Sequence, residues 1–378
     1  MCRCVNTFWT ETEIFQKNAS GAPGPASLLP CRRVPERIYK YVKISKRFFF
    51  LPFLLVLSLL APARADLKED FVLFWRDVTR RALHTLQVQE ADQAEPPKVI
   101  DRITYPGDYP DFSFSGEDDL LEIWFPVIRD QDAAIFFYQD QVWMLDCGDE
   151  RAKDEIVPLL RYLGVTRIDR IINTHPHHDH LNGLYSIHEV CPVGELAVCF
   201  PEDTTKHMTA AMEFCKGNDI PVTCFEDESL LSMGDGAVTF LAWLKCAGEE
   251  DLNDQSAQFM ISYGDCSMLS MADMELRGQH QLFEALSPES LKADILRYPH
   301  HGKRFMVEEL YQAIDPSLVI ITNSPRIPEV RQSTKFLDYK HVPVAYTHRA
   351  DHALHLITDG RRWLCEELKF NAAPYLNP

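Results

Sequence analysis

Six residues near the middle of the chain, His175-Pro176-His177-His178-Asp179-His180, hold four of its fourteen histidines. Imidazole is the commonest divalent-metal ligand near neutral pH, and the carboxylate in the same run adds a hard oxygen donor. The spacing matters as much as the count. In an extended segment His175 and His177 point the same way and can share one metal. After the chain turns, Asp179 and His180 can face a second metal beside it. Further ligands must come from distant strand ends. Asp273 closes the apolar run Ser270-Met271-Ala272, and His301 lies in Tyr298-Pro299-His300-His301-Gly302. A carboxylate such as Asp273 can bridge two cations through its two oxygens. Two cations roughly 3.5–4 Å apart lower the pKa of a shared water and stabilise a developing oxyanion. The chemistry this donor set suits is metal-assisted hydrolysis. Taken singly, each histidine would more often be a surface or capping residue. A His-rich tract that scavenges metal is the alternative for the cluster, but it leaves the separate acidic and histidine strand ends unexplained.

The surrounding elements alternate in type. Leu120 to Val127, Ala133 to Tyr138 and Val142 to Leu145 are apolar and β-favouring, with polar turns between them, so an antiparallel meander is expected. Ala152 to Leu163 reads as a helix ending at Gly164. Ile168 to Asn173 is then a strand that runs into the histidine cluster and puts the ligands at its C-terminal end. Further strands are expected at Val238–Leu244, Ala257–Ser262, Ser267–Met271, Asp294–Tyr298 and Leu318–Thr322, with a helix at Glu275–Leu286. Val344–Thr347, Leu354–Ile357 and Trp363–Leu364 follow, with Asp359-Gly360 as a hairpin turn. Two β-rich halves with helices outside imply an α/β fold, a four-layer αββα sandwich, in a single catalytic domain over residues 118–370.

The segment Thr174-His175-Pro176-His177-His178-Asp179-His180-Leu181-Asn182-Gly183 resembles the HxHxDH motif of the metallo-β-lactamase superfamily, and the resemblance runs roughly from Leu120 to Leu368. Leu145-Asp146-Cys147-Gly148 resembles the family's strand-end Asp-x-Gly, whose Asp supports the metal loop from behind. Leu252-Asn253-Asp254-Gln255-Ser256, Leu269-Ser270-Met271-Ala272-Asp273, Pro299-His300-His301-Gly302 and the closing Asp359-Gly360 hairpin are similar to the ComEC-like, competence-protein branch. The resemblance implies a hydrolase with two divalent ions, zinc first and manganese as the alternative. His175 and His177 would serve the first ion, and Asp179, His180 and His301 the second. Asp273 would bridge them, a metal-bound hydroxide would be the nucleophile, and Asp179 would help handle its proton. His300 is the less favoured of its pair, because the family's ligand usually directly precedes the Gly. Three departures from the family pattern stand out. Where many members have another histidine ligand, Asn253 falls, which would leave the first ion weakly held. His177 is Asp in many ComEC-like sequences, so this site is richer in nitrogen and favours zinc. Lys303-Arg304 replace the usual Ser after His-Gly, either to hold a substrate phosphate or as a solvated loop pair. His348, near the C-terminal hairpin, is a further candidate to approach substrate, although surface placement is more frequent for such a residue.

Composition narrows the substrate. The net charge is −18, and residues 66–378 hold 28 Lys/Arg against 53 Asp/Glu. A non-specific grip on nucleic acid needs clustered cations that displace counterions, so nucleic acid is disfavoured as partner. The ComEC-like resemblance implies phosphodiesterase or nuclease work, and a small-molecule or cell-envelope phosphodiester suits so acidic a body better. Lactam or thioester hydrolysis is the enzymatic alternative, and a non-catalytic, metal-stabilised binding protein is the other. No obligate protein partner is evident.

Residues 43–65 read as a secretory signal. Lys43, Lys46 and Arg47 form a basic region, Phe48 to Leu60 a short apolar run, and Ala63-Arg64-Ala65 a small-x-small cleavage pattern. The expected location is outside the cytoplasm, membrane-anchored if the signal stays uncleaved. Residues 1–41 show no periodic pattern, and a true start near Val42 is expected. Residues 66–117 read as a lead-in, with a helical pattern from Asp66 to about Glu95 and then a Pro- and Gly-rich linker. Eight of the eleven cysteines follow Ala65. That even count permits disulfides in an exported chain, and Cys191, Cys199, Cys215 and Cys224 cluster closely enough that a pair among them is open. No CxxC pair exists, which disfavours a structural zinc knuckle.

Overall fold

The strand that feeds the histidine motif is only three residues long, so what holds the motif is the sheet on either side of it. The structure, a computed structural model, describes residues 103–104, 119–246, 250–348 and 352–369. The expected leader, signal and helix over residues 66–95 fall outside the described residues. Within the expected linker, Ile103–Thr104 forms a short strand, β1.

Two mixed sheets account for the strands among the described residues. The first contains β1, then β2 (Leu121–Phe125), β3 (Ala133–Tyr138), β4 (Gln141–Cys147), β5 (Arg170–Ile172), β6 (Leu196–Val198) and β7 (Val222–Cys224), closed by the C-terminal pair β15 (His352–Thr358) and β16 (Trp363–Lys369). Its order is β1-β16-β15-β2-β3-β4-β5-β6-β7. The second contains β8 (Leu230–Met233), β9 (Val238–Trp243), β10 (Gln258–Tyr263), β11 (Cys266–Ser270), β12 (Ile295–Arg297), β13 (Leu318–Ile321) and β14 (Val344–Tyr346), in the order β14-β13-β12-β11-β10-β9-β8. The expected meander β2-β3-β4 is antiparallel, with Ile123 opposite Phe136. Asp359-Gly360 lies in the turn between β15 and β16, whose antiparallel register pairs Thr358 with Trp363.

Alternation along the strands sorts the side chains into layers. On β2 and β3, Ile123, Phe125, Ala134 and Phe136 join Phe240, Phe259 and Met268 of the second sheet in a core between the sheets. Their neighbours Trp124, Ala133 and Ile135 face the other way, against α1 (Lys153–Tyr162), α2 (Gly183–His188) and α3 (Lys206–Gly217). The outer face of the second sheet packs likewise on α4 (Leu276–Ala285) and α5 (Glu308–Ile314). This is the αββα sandwich. Strands buried on both faces read as near-continuous apolar runs, which is why they were easy to locate. Helix α1 ends at Leu163, and Gly164 at φ +71° turns the chain out of it.

Parallel pairing aligns the strand ends that matter. β4 pairs parallel with β5, Leu145 beside Ile172, and β11 to β14 are parallel throughout, with Ser270, Arg297 and Ile320 in register. Asp146, the histidine motif, Asp273, His300-His301 and His348 therefore all leave the carboxyl ends of neighbouring strands. In open α/β sheets that is where ligand sites are built.

The cysteine pair that the sequence left open does not form. All eight described cysteines are free thiols, and several are engaged with backbone carbonyls. Cys191 donates to the Val165 carbonyl (3.2 Å) and Cys199 to that of Thr174 (3.6 Å). Cys215 is buried on the core face of α3, where burial pushes its thiol up to about 11. Among the described residues no helix is long and apolar enough to cross a membrane.

Candidate metal centre

The loop after β5 is pinned before its histidines begin. Asp146 accepts from the Thr174 backbone amide and hydroxyl (2.8 Å each), from the Asn173 side chain (3.2 Å), and from His180 Nδ1 (2.8 Å). One buried carboxylate thus fixes both ends of the motif. Behind it, Gly183 lies against the end of β4. A Cβ at this position would sit 1.8 Å from the Cys147 carbonyl oxygen, so only glycine allows this approach. The backbone is also strained where the site residues leave their strands. Asp146, Ala272, His300 and His301 all have φ between 46° and 54°. Such conformations persist only when the surroundings over-determine them, and they cluster at functional sites.

His175 Nε2 and His177 Nδ1 are hydrogen-bonded to each other at 2.9 Å, which keeps the two ring nitrogens close enough to share a cation. Burial is the main reason both imidazoles are held below the usual value, with the neighbouring His180 adding to it. They are therefore neutral and able to act as ligands. The other cluster lies beside them, with the His175 and His180 ring centres 4.1 Å apart. There His180 Nε2 is 3.3 Å from Asp273 Oδ1. His301 Nε2 is 3.3 Å from Asp273 Oδ2 and 3.6 Å from Asp179 Oδ2.

His180 Nε2, His301 Nε2 and Asp273 Oδ1 are all buried with no hydrogen-bond partner among the described groups. Buried polar atoms are rarely left so, and three that converge with nitrogen and carboxylate donors fit a divalent cation. Burial opposes the ionisation of Asp273 and Asp179, but the closely placed His180 and His301 outweigh it and hold both carboxyls well below the usual range. Burial likewise opposes charging of His180 and His301, and Asp273 foremost raises both.

The remaining candidates sit around this centre. His300 is on the rim, its Nε2 3.7 Å from Asp273 and its Nδ1 3.4 Å from Glu275, while His301 is 1% exposed at the centre. Lys303 pairs with Asp130 (3.0 Å) and Arg304 with Glu275 (2.9 Å), so both rim cations already have carboxylate partners. Asn253 has a buried Oδ1 without a partner, and Ala257 in the same loop donates to the Thr174 carbonyl (2.9 Å). The His348 amide donates to the Asn323 carbonyl (3.2 Å), and Asn323 in turn donates to the His301 carbonyl (3.1 Å).

Sequence reasoning passed over Asp132. It is 1% exposed, and it places one donor atom within 4.8 Å of donors from His180, Asp273 and His301. Its Oδ2 is in direct contact with the guanidinium of the equally buried Arg297. The available signal was Arg297, a lone cation in the apolar strand Ile295-Leu296-Arg297, since a buried charge requires a partner.

Comparison with known proteins places this geometry. Residues 129–241 match the metallo-beta-lactamase superfamily. No curated protein matches the chain. Among solved structures, the metallo-beta-lactamase fold protein YhfI from Bacillus subtilis is 14% identical, with a TM-score of 0.41 over 61% of this chain and 97% of its own. CmlA, a diiron beta-hydroxylase from Streptomyces venezuelae, is 14% identical with a TM-score of 0.40; 62% of this chain covers 54% of that one. A Cronobacter sakazakii metallo-beta-lactamase with a HARLDQ motif is 15% identical with a TM-score of 0.35, over 57% of this chain and 90% of its own. The match to the metallo-β-lactamase superfamily thus covers residues 129–241, which lie within the architecture of two sheets between layers of helices.

Proposed function

We propose that the protein is an exported, zinc-dependent phosphodiesterase acting on a small or cell-envelope diester. The observation that carries the metal-dependent part is the convergence of buried, unpartnered donors from His180, Asp273 and His301 beside the neutral pair His175 and His177. Two divalent cations bound there would supply an activated water and a positive field for the charge that develops in phosphoryl transfer. The chain's own groups do the rest. Asp179 is ionised, with its side chain 21% exposed, and can accept a proton at the mouth of the site. His300, on the rim and held neutral chiefly by burial, can hydrogen-bond a substrate oxygen. The nitrogen-rich donor set favours zinc over manganese. Pairing of Lys303 and Arg304 with carboxylates leaves these two rim cations no free charge for a polyanion, which supports a small or envelope diester over nucleic acid. Export rests on the signal pattern of residues 43–65.

The test is hydrolysis of a chromogenic phosphodiester by the purified chain, loaded with zinc or with manganese, beside Asp179→Ala. Metal-dependent turnover, reduced about 10²-fold or more by the substitution, supports the reading. A folded, metal-loaded protein without turnover would turn attention to lactams and thioesters, and then to a binding role.

A further inference from the structure

Asp132 sits just ahead of β3, and its backbone ties together two parts of the metal loop's support. Its amide donates to the Asp179 carbonyl (3.2 Å), and its carbonyl accepts from the Gly148 amide (2.8 Å). Its side chain faces the rear of both second-position histidines, with Oδ1 3.3 Å from His301 Nδ1 and Oδ2 3.9 Å from His180 Nδ1. His180 is already oriented by Asp146. Among the described residues His301 Nδ1 has the Thr322 hydroxyl at hydrogen-bond distance (3.4 Å) and the Asp132 carboxylate at ion-pair distance (3.3 Å), where Oδ1 has no hydrogen bond of its own.

An ionised carboxylate only accepts, so it holds the imidazole proton on Nδ1 and leaves the Nε2 lone pair free. In His301 that Nε2 points toward Asp179 and Asp273, so a cation bound there would take the place of its second proton. Arg297 completes the device, since its guanidinium grips Asp132 Oδ2 and donates to Ser270 Oγ at 2.8 Å. β11 and β12, which deliver Asp273 and His301, are thereby coupled to the carboxylate behind them.

We propose that Asp132, clamped by Arg297, is the positioning residue that fixes the Nδ1–H tautomer of His301 and aims its Nε2 at the second cation. The inference rests on the metal-binding reading of the site but not on any substrate. It also assigns Asp132 a place behind the metal, not among its ligands, because Oδ1 faces His301 Nδ1, the nitrogen turned away from Asp273, and Arg297 holds Oδ2.

The experiment uses the purified chain and zinc itself. Zinc affinity is measured by competition with a chromophoric chelator, and cobalt loading gives a visible spectrum of each position. Asp132→Asn is compared with the parent, and thermal unfolding of the metal-free forms monitors folding. The expected result is a 10- to 100-fold weaker second zinc and an altered cobalt spectrum in a folded protein, the usual size of an effect from a group that orients a ligand. Equal affinity and an unchanged spectrum would overturn the inference. A parent chain that binds no second metal would instead sink the metal reading beneath it. Should Asp132→Asn not fold, ¹⁵N chemical shifts of the His301 ring in the zinc-loaded parent decide the matter: Nδ1 protonated is expected, whereas zinc on Nδ1 overturns it.

Discussion

His180 and His301 hold protons in the metal-free protein that a cation must displace. Burial opposes their charge, but Asp273 leads the groups that raise both above the ordinary imidazole value. A group with a raised value stays protonated as pH climbs past its ordinary value, and it yields the proton only above its folded one. Metal binding at the second position must therefore release protons, and its affinity must fall as pH is lowered. Calorimetry in buffers of different ionisation enthalpy should count about one to two protons released per metal near neutrality. An affinity unchanged between about pH 6 and pH 8 would contradict this. His175 and His177 are held neutral by burial, so the first position should show no such release. At this scale the sequence was most readable where residue type, spacing and strand end coincided, as for the six-residue motif, Asp146, Asp273 and His301. It was silent on Asp132, because one Asp in a polar turn looks like any other until the sheets place Arg297 and His301 against it. It left Lys303 and Arg304 open, because their carboxylate partners Asp130 and Glu275 are brought to them only by the fold.

The elements that carry the site are held by contacts with little tolerance. Gly183 starts α2 against the end of β4, and its amide donates to the Gly148 carbonyl (2.9 Å). Gly183→Ala drives a methyl into the Cys147 backbone, so either the motif moves or β4 does. Overpacking of this kind costs about 1–3 kcal/mol, and the same shift disturbs the Asp146 network. The expected outcome is a lower unfolding midpoint together with weakened zinc binding; an unchanged metal affinity would show that the loop is placed by other means.

On the far side of the first sheet, His355 of β15 stacks on Trp124 of β2 at 3.7 Å and donates to Glu122 (2.8 Å). That hydrogen bond is the chief reason the Glu122 carboxyl lies below its usual value. A depressed carboxyl stabilises the fold above its unfolded value, and the stabilisation is lost as pH falls through the folded one. Glu122→Gln should therefore cost little, about 0.5 kcal/mol because the carboxylate is 38% exposed although His355 is buried, and should flatten the loss of stability on the acid side in a pH series of unfolding midpoints. Long strands buried on both faces were legible to within a few residues. β6, β7 and β8 were not, and β7 is an exposed edge with no buried face to mark it.

Across the whole molecule, the candidate site is a seam between the two sheets. His175, His177, Asp179 and His180 hang from the first, and Asp273 and His301 from the second. What joins the sheets elsewhere is the apolar layer in which Phe240 meets Phe136 edge-on at 5.0 Å and Trp143 at 5.4 Å. A metal bound by both sheets and a core packed between them therefore resist the same separation. The four-layer plan was visible in the run of apolar segments, but the seam was not, since it depends on which strand ends the parallel pairings bring together. Metal removal should lower the unfolding temperature by more than loss of a surface ion would, because a ligand that binds only the folded form contributes RT ln(1 + [L]/Kd), about 4 kcal/mol at a thousandfold excess over Kd. Phe240→Ala should cost about 3–5 kcal/mol through the cavity it leaves. The two effects act on one equilibrium, so saturating zinc should restore most of the stability that Phe240→Ala removes, with Asp273→Ala as the control in which zinc restores far less. Equal rescue by zinc in the presence and absence of Asp273 would mean that the metal does not hold the sheets together.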